Sequence, residues 1–178
     1  MAAQAECPAA DDLAGGVAFV RDTGALELHR DLGEGIISMG TLTEAGELEP
    51  QSGRLRHGVY LMESRDGASV VRYTWPAGLE TLPYPQLAMS EDLALIISQQ
   101  GFEFPAIFNI AVGDTPARLR LGECELEMWG IRTEVTLDDT NGFSTFFYWF
   151  PRLGTGVPVR WSTNGEVTES VEIVGLEW

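Results

Sequence analysis

Along most of the chain, apolar and polar residues alternate in short runs. Gly, Pro, Asn or Asp break these runs every eight to fifteen residues or so. A period of two places successive side chains on opposite faces, which is the signature of β-strands with one buried face. The pattern predicts strands in VAFV from Val17, ALELHR from Ala25, GIISMGTL from Gly35, LRHGVYLME from Leu55 and SVVRYTW from Ser69. Asp66-Gly67 between the last two is a hairpin signal, because both central residues of the favoured turn need positive φ. Residues 76–90, PAGLETLPYPQLAMS, contain Pro76, Pro83 and Pro85. Proline lacks the amide hydrogen of a ladder, so this stretch reads as a connector. Next, Ser90 precedes Glu91-Asp92, and Gly101 closes LALIISQQG. An N-cap serine, acids in the first turn and a terminal glycine predict a helix, while Ile96 and Ile97 leave a strand as the alternative.

The C-terminal third is patterned most strongly. ARLRL from Ala117 leads into a run from Glu123 to Leu137. Glu123, Glu125 and Glu127 share one face of that run, and Cys124, Leu126 and Met128 share the other. Ile131, Thr133, Val135 and Leu137 continue with the opposite parity, which predicts a bulge near Trp129-Gly130. Two Asn-Gly pairs, Asn141-Gly142 and Asn164-Gly165, predict tight hairpins and hence a four-strand meander. Between them lies FSTFFYWF. Phe143, Phe147 and Trp149 fall on one side of this strand, and Phe146, Tyr148 and Phe150 on the other. An antiparallel strand with one wet face alternates apolar with polar; this one is apolar on both and must be covered twice. The cover is either the rest of the chain, namely the Ser90 segment and the proline-rich connector, or a ligand or partner.

The 178 residues are enough for one domain with a sizeable core. The expected fold is mainly β: a single curved antiparallel sheet, or an unclosed β-barrel, over residues 17–178, with one or two short helices. Residues 1–16, small, acidic and containing Pro and Gly, form an irregular arm. There are 27 acidic residues against 11 basic ones, all of them Arg, for a net charge of -16. Such a surface repels phosphate backbones and argues against a nucleic-acid partner. No apolar run is long enough to cross a bilayer as a helix.

Ala3-Gln4-Ala5 has the A-x-A form of a signal-peptide cleavage site, which would make Glu6 the first mature residue. The two cysteines, Cys7 and Cys124, agree with export. An even count in an oxidising compartment predicts a Cys7–Cys124 disulfide and a periplasmic or secreted location.

Catalytic chemistry finds little support. His57, in GRLRHGVYL, is in phase with Leu55, Val59 and Leu61, and His29 follows Leu-Glu-Leu. A lone histidine in a strand is more simply a hydrogen-bonded core residue than a base, and a zinc site needs three or four His or Cys ligands. No nucleophile elbow, zincin, P-loop or dinucleotide motif occurs in the sequence. LDDTNG from Leu137 reads as a hairpin turn, since Leu137 stands where a calcium loop needs its first Asp. The expectation is a non-enzymatic protein that uses no cofactor or metal.

The order LGECELEMW, FFYWFPRLGTGVPVRW, NGEV over residues 117–174 resembles uncharacterised exported bacterial proteins whose architecture is similar to the LolA-type periplasmic lipoprotein carriers. The resemblance implies one curved antiparallel sheet with helices on its concave side and no catalytic residues. It implies a carrier with an apolar cleft for an acyl chain, a lipid or an apolar peptide segment. Phe146, Tyr148, Phe150, Val159 and Trp161 are the candidate lining, with Trp75 and Tyr60 behind them. The alternative is an envelope interaction protein whose aromatic face forms a dimer seam or docks a partner; the third is a hydrolase of unrecognised type.

Overall fold

The computed structural model describes residues 7–43, 45–138 and 141–178, so the expected cleavage motif Ala3-Gln4-Ala5 and Glu6 lie outside the described residues. Among the described residues the chain forms fourteen strands and two short 3-10 turns, Ala10–Ala14 and Leu79–Thr81. The strands are β1 Val17–Arg21, β2 Leu26–Asp31, β3 Ile36–Leu42, β4 Leu48–Arg56, β5 Tyr60–Asp66, β6 Ser69–Thr74, β7 Ser90–Gln99 and β8 Phe102–Val112. They continue as β9 Ala117–Leu121, β10 Cys124–Thr136, β11 Gly142–Phe150, β12 Thr155–Thr163, β13 Glu166–Ser170 and β14 Ile173–Glu177. The spatial order is β13-β12-β11-β10-β8-β7-β6-β5-β4-β3-β2-β1-β14, with β9 paired to the first half of β10. Every pairing is antiparallel. The fold is therefore the expected one: mainly β, one large antiparallel sheet not closed into a barrel.

The two edges of the sheet, β13 and β14, are consecutive strands joined through Val171 and Glu172. At this seam the Val171 N–H donates to the Val159 carbonyl at 2.9 Å. The Asp22 N–H donates to the Glu172 carbonyl at 2.9 Å, and the Glu172 N–H to the Asp22 carboxylate at 3.2 Å.

Two cores result. The first gathers Leu55, Val59, Tyr60, Leu95, Phe108, Ile110, Ile131, Val135, Phe147 and Trp149, with Trp75 and Leu82 from the connector side. The second gathers Leu13 of the arm with Val17, Phe19, Ile37, Leu126, Phe150, Val157, Val159 and Ile173. The aromatic strand β11 separates them: Phe147 and Trp149 feed the first, while Phe146, Tyr148 and Phe150 meet the second. The connector supplies Tyr84, edge-on to Trp149 at 5.2 Å. The doubly apolar strand is thus covered on both sides by the chain itself. Cys7 and Cys124 form the expected disulfide, with Cα atoms 5.4 Å apart.

Several local expectations give way. The Ser90 segment is strand β7, not a helix: it pairs with β8 from Ser90–Ala111 to Gln99–Phe102 and with β6 from Ile96 to Gln99. Ladder partners on both sides of its β-branched half outweigh the capping signal. The run from Leu55 is not one strand but two, turned at His57 (φ 50°) and Gly58 (φ 69°). The change of parity in β10 is present, but the ladders register no bulge at Trp129-Gly130. Instead the strand changes partner there, from β9 through Met128 to β11 from Trp129 and β8 from Ile131. Nor is Asn141-Gly142 a tight turn: Gly142 opens β11, and the Leu137 N–H donates to the Asn141 carbonyl across a longer connection.

Asn164-Gly165 does form the expected turn, with φ of 50° and 83°. A Cβ at Gly165 would meet nothing within 4 Å, so only conformation is at stake. Gly165→Val should therefore lower stability by about 1 to 2 kcal/mol, the cost of a left-handed L-residue, with folded spectra unchanged. Urea denaturation checks this; an unchanged midpoint would mean the turn relaxes freely.

Candidate functional site

In strand β2 the buried residues are the polar ones. Glu27 and His29 are 2% and 0% exposed, whereas Leu26 and Leu28 are half-buried. A buried carboxylate needs partners, and both of its oxygens have one. The His29 Nε2–H donates to Glu27 Oε1 at 2.7 Å, and Arg21 Nη2 donates to Glu27 Oε2. On the other ring nitrogen, His29 Nδ1 lies 2.8 Å from the hydroxyl oxygen of Thr155, also fully buried. Phe19 packs edge-on to the His29 ring at 5.0 Å. The Arg21 guanidinium lies 5.3 Å from the centre of the Trp161 ring. This relay ties β1 and β2 to β12 across the seam.

Burial pushes the Glu27 carboxyl up, but the His29 hydrogen bond and the attraction of His29 and Arg21 outweigh it and hold the group below its ordinary value. A depressed carboxyl contributes stability that is fully present above its unfolded pKa, near 4.5, and is lost as the pH falls through the folded value. The difference in unfolding free energy between wild type and Glu27→Gln should therefore be flat above about pH 4.5 and shrink below it. A constant offset down to about pH 3 would contradict the arrangement.

Thr155, His29 and Glu27 have the hydroxyl–imidazole–carboxylate order of a nucleophilic relay. The hydroxyl is fully buried. The relay satisfies three buried polar side chains at the seam.

At the Arg21 end the relay meets solvent. Arg21, Glu27 and Trp161 line a cavity of about 520 Å³. Its apolar wall is Met39, Leu55, Leu61 and Val71 from β3 to β6, and its polar rim includes Glu63, Arg65, Asp66 and Glu169. Glu63 is held below its ordinary value by its hydrogen bond with Arg65, helped by the charges of Arg65, Arg54 and Arg72. Two features position this wall. Gly53 opposes Met39 in the β3–β4 ladder, and a Cβ there would lie 3.4 Å from the Met39 side chain. On β12, the ladder with β11 shifts by one residue between Arg160 and Pro158, making Val159 the extra residue. That bulge places Trp161 opposite Thr145, on the face of β11 that carries Phe147 and Trp149.

The sequence-predicted site residues consequently separate. Phe150 and Val159 are buried in the second core, which Phe146 and Tyr148 flank. Trp161 turns to the opposite face and does not reach Phe146 or Tyr148; Arg160 takes that place, 5.7 Å from the Phe146 ring centre. Trp75 and Tyr60 are first-core residues, the indole N–H donating to the Leu61 carbonyl at 2.9 Å and the hydroxyl to the Pro83 carbonyl at 2.8 Å. Of the predicted lining, Trp161 is the residue that meets the cavity. His57 lies in a turn rather than on a strand, between the rings of Tyr60 and Tyr84, and burial with the nearby Arg56 charge pushes its imidazole down. Arg21 and Glu27 were missed because nothing in VAFVR or LELHR marks these polar positions as inward ones.

No group of three or more His, Cys, Asp or Glu side chains suited to a metal occurs among the described residues. No protein-family model matches the chain, and neither a curated protein nor a solved structure matches it.

Proposed function

We propose that the protein is a non-enzymatic binding or carrier protein of an oxidising extracytoplasmic compartment, and that it holds a small amphiphile in the cavity between β1–β6 and β12. One observation carries the reading: a cavity of about 520 Å³ with an aliphatic wall, a tryptophan and a charged floor. That volume is typical of small-molecule sites, where apolar area supplies affinity and a few polar groups fix orientation. The LolA-type resemblance of residues 117–174 supports the same class, and the Cys7–Cys124 disulfide is compatible with the compartment.

N-phenyl-1-naphthylamine, an uncharged probe that brightens in apolar surroundings, should bind saturably. Trp161→Ala should weaken that binding by about tenfold or more while the protein stays folded, since Trp161 is half-buried on the cavity wall. Absence of saturable binding to wild type would end the proposal.

A second reading draws on a different surface. Phe102, Phe104 and Leu137 are 41–68% exposed on one face where β8 runs past the end of its ladder with β10, and an apolar patch of this kind suits a protein partner. Sedimentation that shows a dimer abolished by Phe102→Ser would favour it.

A further inference from the structure

The few positive charges of this acidic chain are not spread evenly. Four of the eleven arginines, Arg30, Arg54, Arg65 and Arg72, fall on β2, β4, β5 and β6, within one run of neighbouring strands. The ladders set most of them in a row: Arg30 stands opposite Ser38, Ser38 opposite Arg54, Arg54 opposite Glu63, and Glu63 opposite Arg72. Glu63 has both oxygens engaged, one 2.7 Å from Arg65 Nε and the other 3.6 Å from Arg72 Nε. Arg54 makes no hydrogen bond or salt bridge among the described residues, and Arg30 makes one contact of 3.5 Å to the Gly15 carbonyl. Both side chains are exposed. Like charges gathered on neighbouring strands repel, an arrangement that an anion between them would relieve.

Arg30, Arg54 and Arg65 surround a groove of about 320 Å³ that also exposes Ser38, Ser52, Leu28 and Leu32. Glu63 is the one acid that lines it. The groove adjoins the cavity and shares Arg65 with its rim, but neither Arg30 nor Arg54 lines the cavity. We propose that this groove is a second binding site, for an amphiphile with a phosphomonoester head. Arg30 and Arg54 donate to the phosphate oxygens, and the first carbons of the chain lie on Leu28 and Leu32. This inference does not rest on the cavity being a binding site.

Charge and shape select the head group. Three arginines against one glutamate leave the groove a net +2. A phosphomonoester carries about -2 above its second pKa, near 6, and matches that charge; a carboxylate supplies half of it. Arg30 and Arg54 reach in from the strands on either side of Ser38, with Cα atoms about 10 Å apart by strand spacing. Two guanidinium forks closing from that span can each make paired N–H bonds to one tetrahedral phosphate, which has more oxygens to share than a carboxylate. The acidity of the rest of the chain is screened beyond about 10 Å at an ionic strength near 0.1 M, so the local arginines dominate.

The test is calorimetric titration near pH 8 with decyl phosphate, decanoate and inorganic phosphate, the amphiphiles kept below their micellar concentrations. Decyl phosphate should bind saturably to wild type, about tenfold or more tightly than either of the others. Arg30→Gln and Arg54→Gln, both at exposed positions, should each weaken decyl phosphate by about tenfold, the loss of one charged hydrogen-bonding partner. Neither should change binding of N-phenyl-1-naphthylamine. Trp161→Ala should bind decyl phosphate as wild type does.

No saturable binding of decyl phosphate would overturn the proposal, as would equal affinity in both folded arginine variants. Decanoate binding as tightly would remove the phosphate head, and inorganic phosphate binding as tightly would remove the chain and leave a site for the free anion. Loss of decyl phosphate binding in folded Trp161→Ala would place that ligand in the cavity instead and end the claim of a second site. Failure of the dye to bind wild type removes the cavity reading alone.

Discussion

Replacing Cys7 and Cys124 together by Ala should destabilise the protein by roughly 4 to 5 kcal/mol, the loop-closure entropy of a cross-link spanning 117 residues. The bond ties the arm to the start of β10, inside the second core, where Cys124 is 2% exposed and Leu13 packs nearby. Beside the bond, Arg152 Nη2 donates to the Cys7 carbonyl at 2.9 Å and Arg30 Nη2 to the Gly15 carbonyl at 3.5 Å, and Pro8 and Leu13 are buried. The loop encloses β1 to β9, so the bond constrains most of the sheet in the unfolded chain and not only the arm. Urea denaturation of the oxidised protein and of the double variant reads the difference. A loss below about 1 kcal/mol would show that the unfolded chain gains little freedom when the bond is absent.

Trp149→Ala should cost about 3 to 5 kcal/mol, the range for emptying a large aromatic site in a packed core. Trp149 is fully buried, with its ring centre 5.0 Å from that of Trp129 and 5.2 Å from that of Tyr84. Its indole N–H donates to the His57 carbonyl at 3.2 Å. The site cannot collapse easily, because backbone already meets backbone beside it. A Cβ on Gly58 would lie 2.6 Å from the Gly156 nitrogen, and one on Gly156 would lie 2.9 Å from the Gly58 oxygen and 3.2 Å from the Trp149 ring. Trp149→Phe separates the contributions: it keeps an aromatic ring, loses the indole donor and should fall well short of the alanine loss. Were Trp149→Ala to cost less than about 1 kcal/mol, this face of β11 would be a solvent-filled hollow rather than core.

How far the sequence could be read depends on which signals were local. Asn164-Gly165 specifies its turn locally and the hairpin is present; Asp66-Gly67 marks its hairpin too, but the turn falls on Gly67-Ala68, between the paired Asp66 and Ser69. The doubly apolar β11 correctly demanded two covers. Strand β7 was misread because Ser90, Glu91 and Gly101 mimic helix ends, while its real partners, β6 and β8, are visible only in the folded sheet. Strand β8 escaped because Pro105 interrupts it. Its ladder to β10 starts only at Ile107, so the proline sits where β8 has a partner on one side alone. The cavity was least legible. Its polar floor inverts the usual alternation at Glu27 and His29, and its tryptophan reaches it through the bulge at Val159, which reverses the parity of every residue after it.

The seam also constrains the order in which the molecule can assemble. Hairpins such as β7–β8 and β10–β11 close short loops and can form as soon as both strands exist. The β1–β14 ladder joins Ala18 to Glu177, so it must wait until nearly the whole chain has left the ribosome. Until then β1 presents a bare edge able to recruit a strand from another copy, and the second core stays open at Phe19 and Ile173. The slow step in folding should accordingly be the docking of the last strand. A nascent chain held short of Ile173 would be the species most in need of a chaperone.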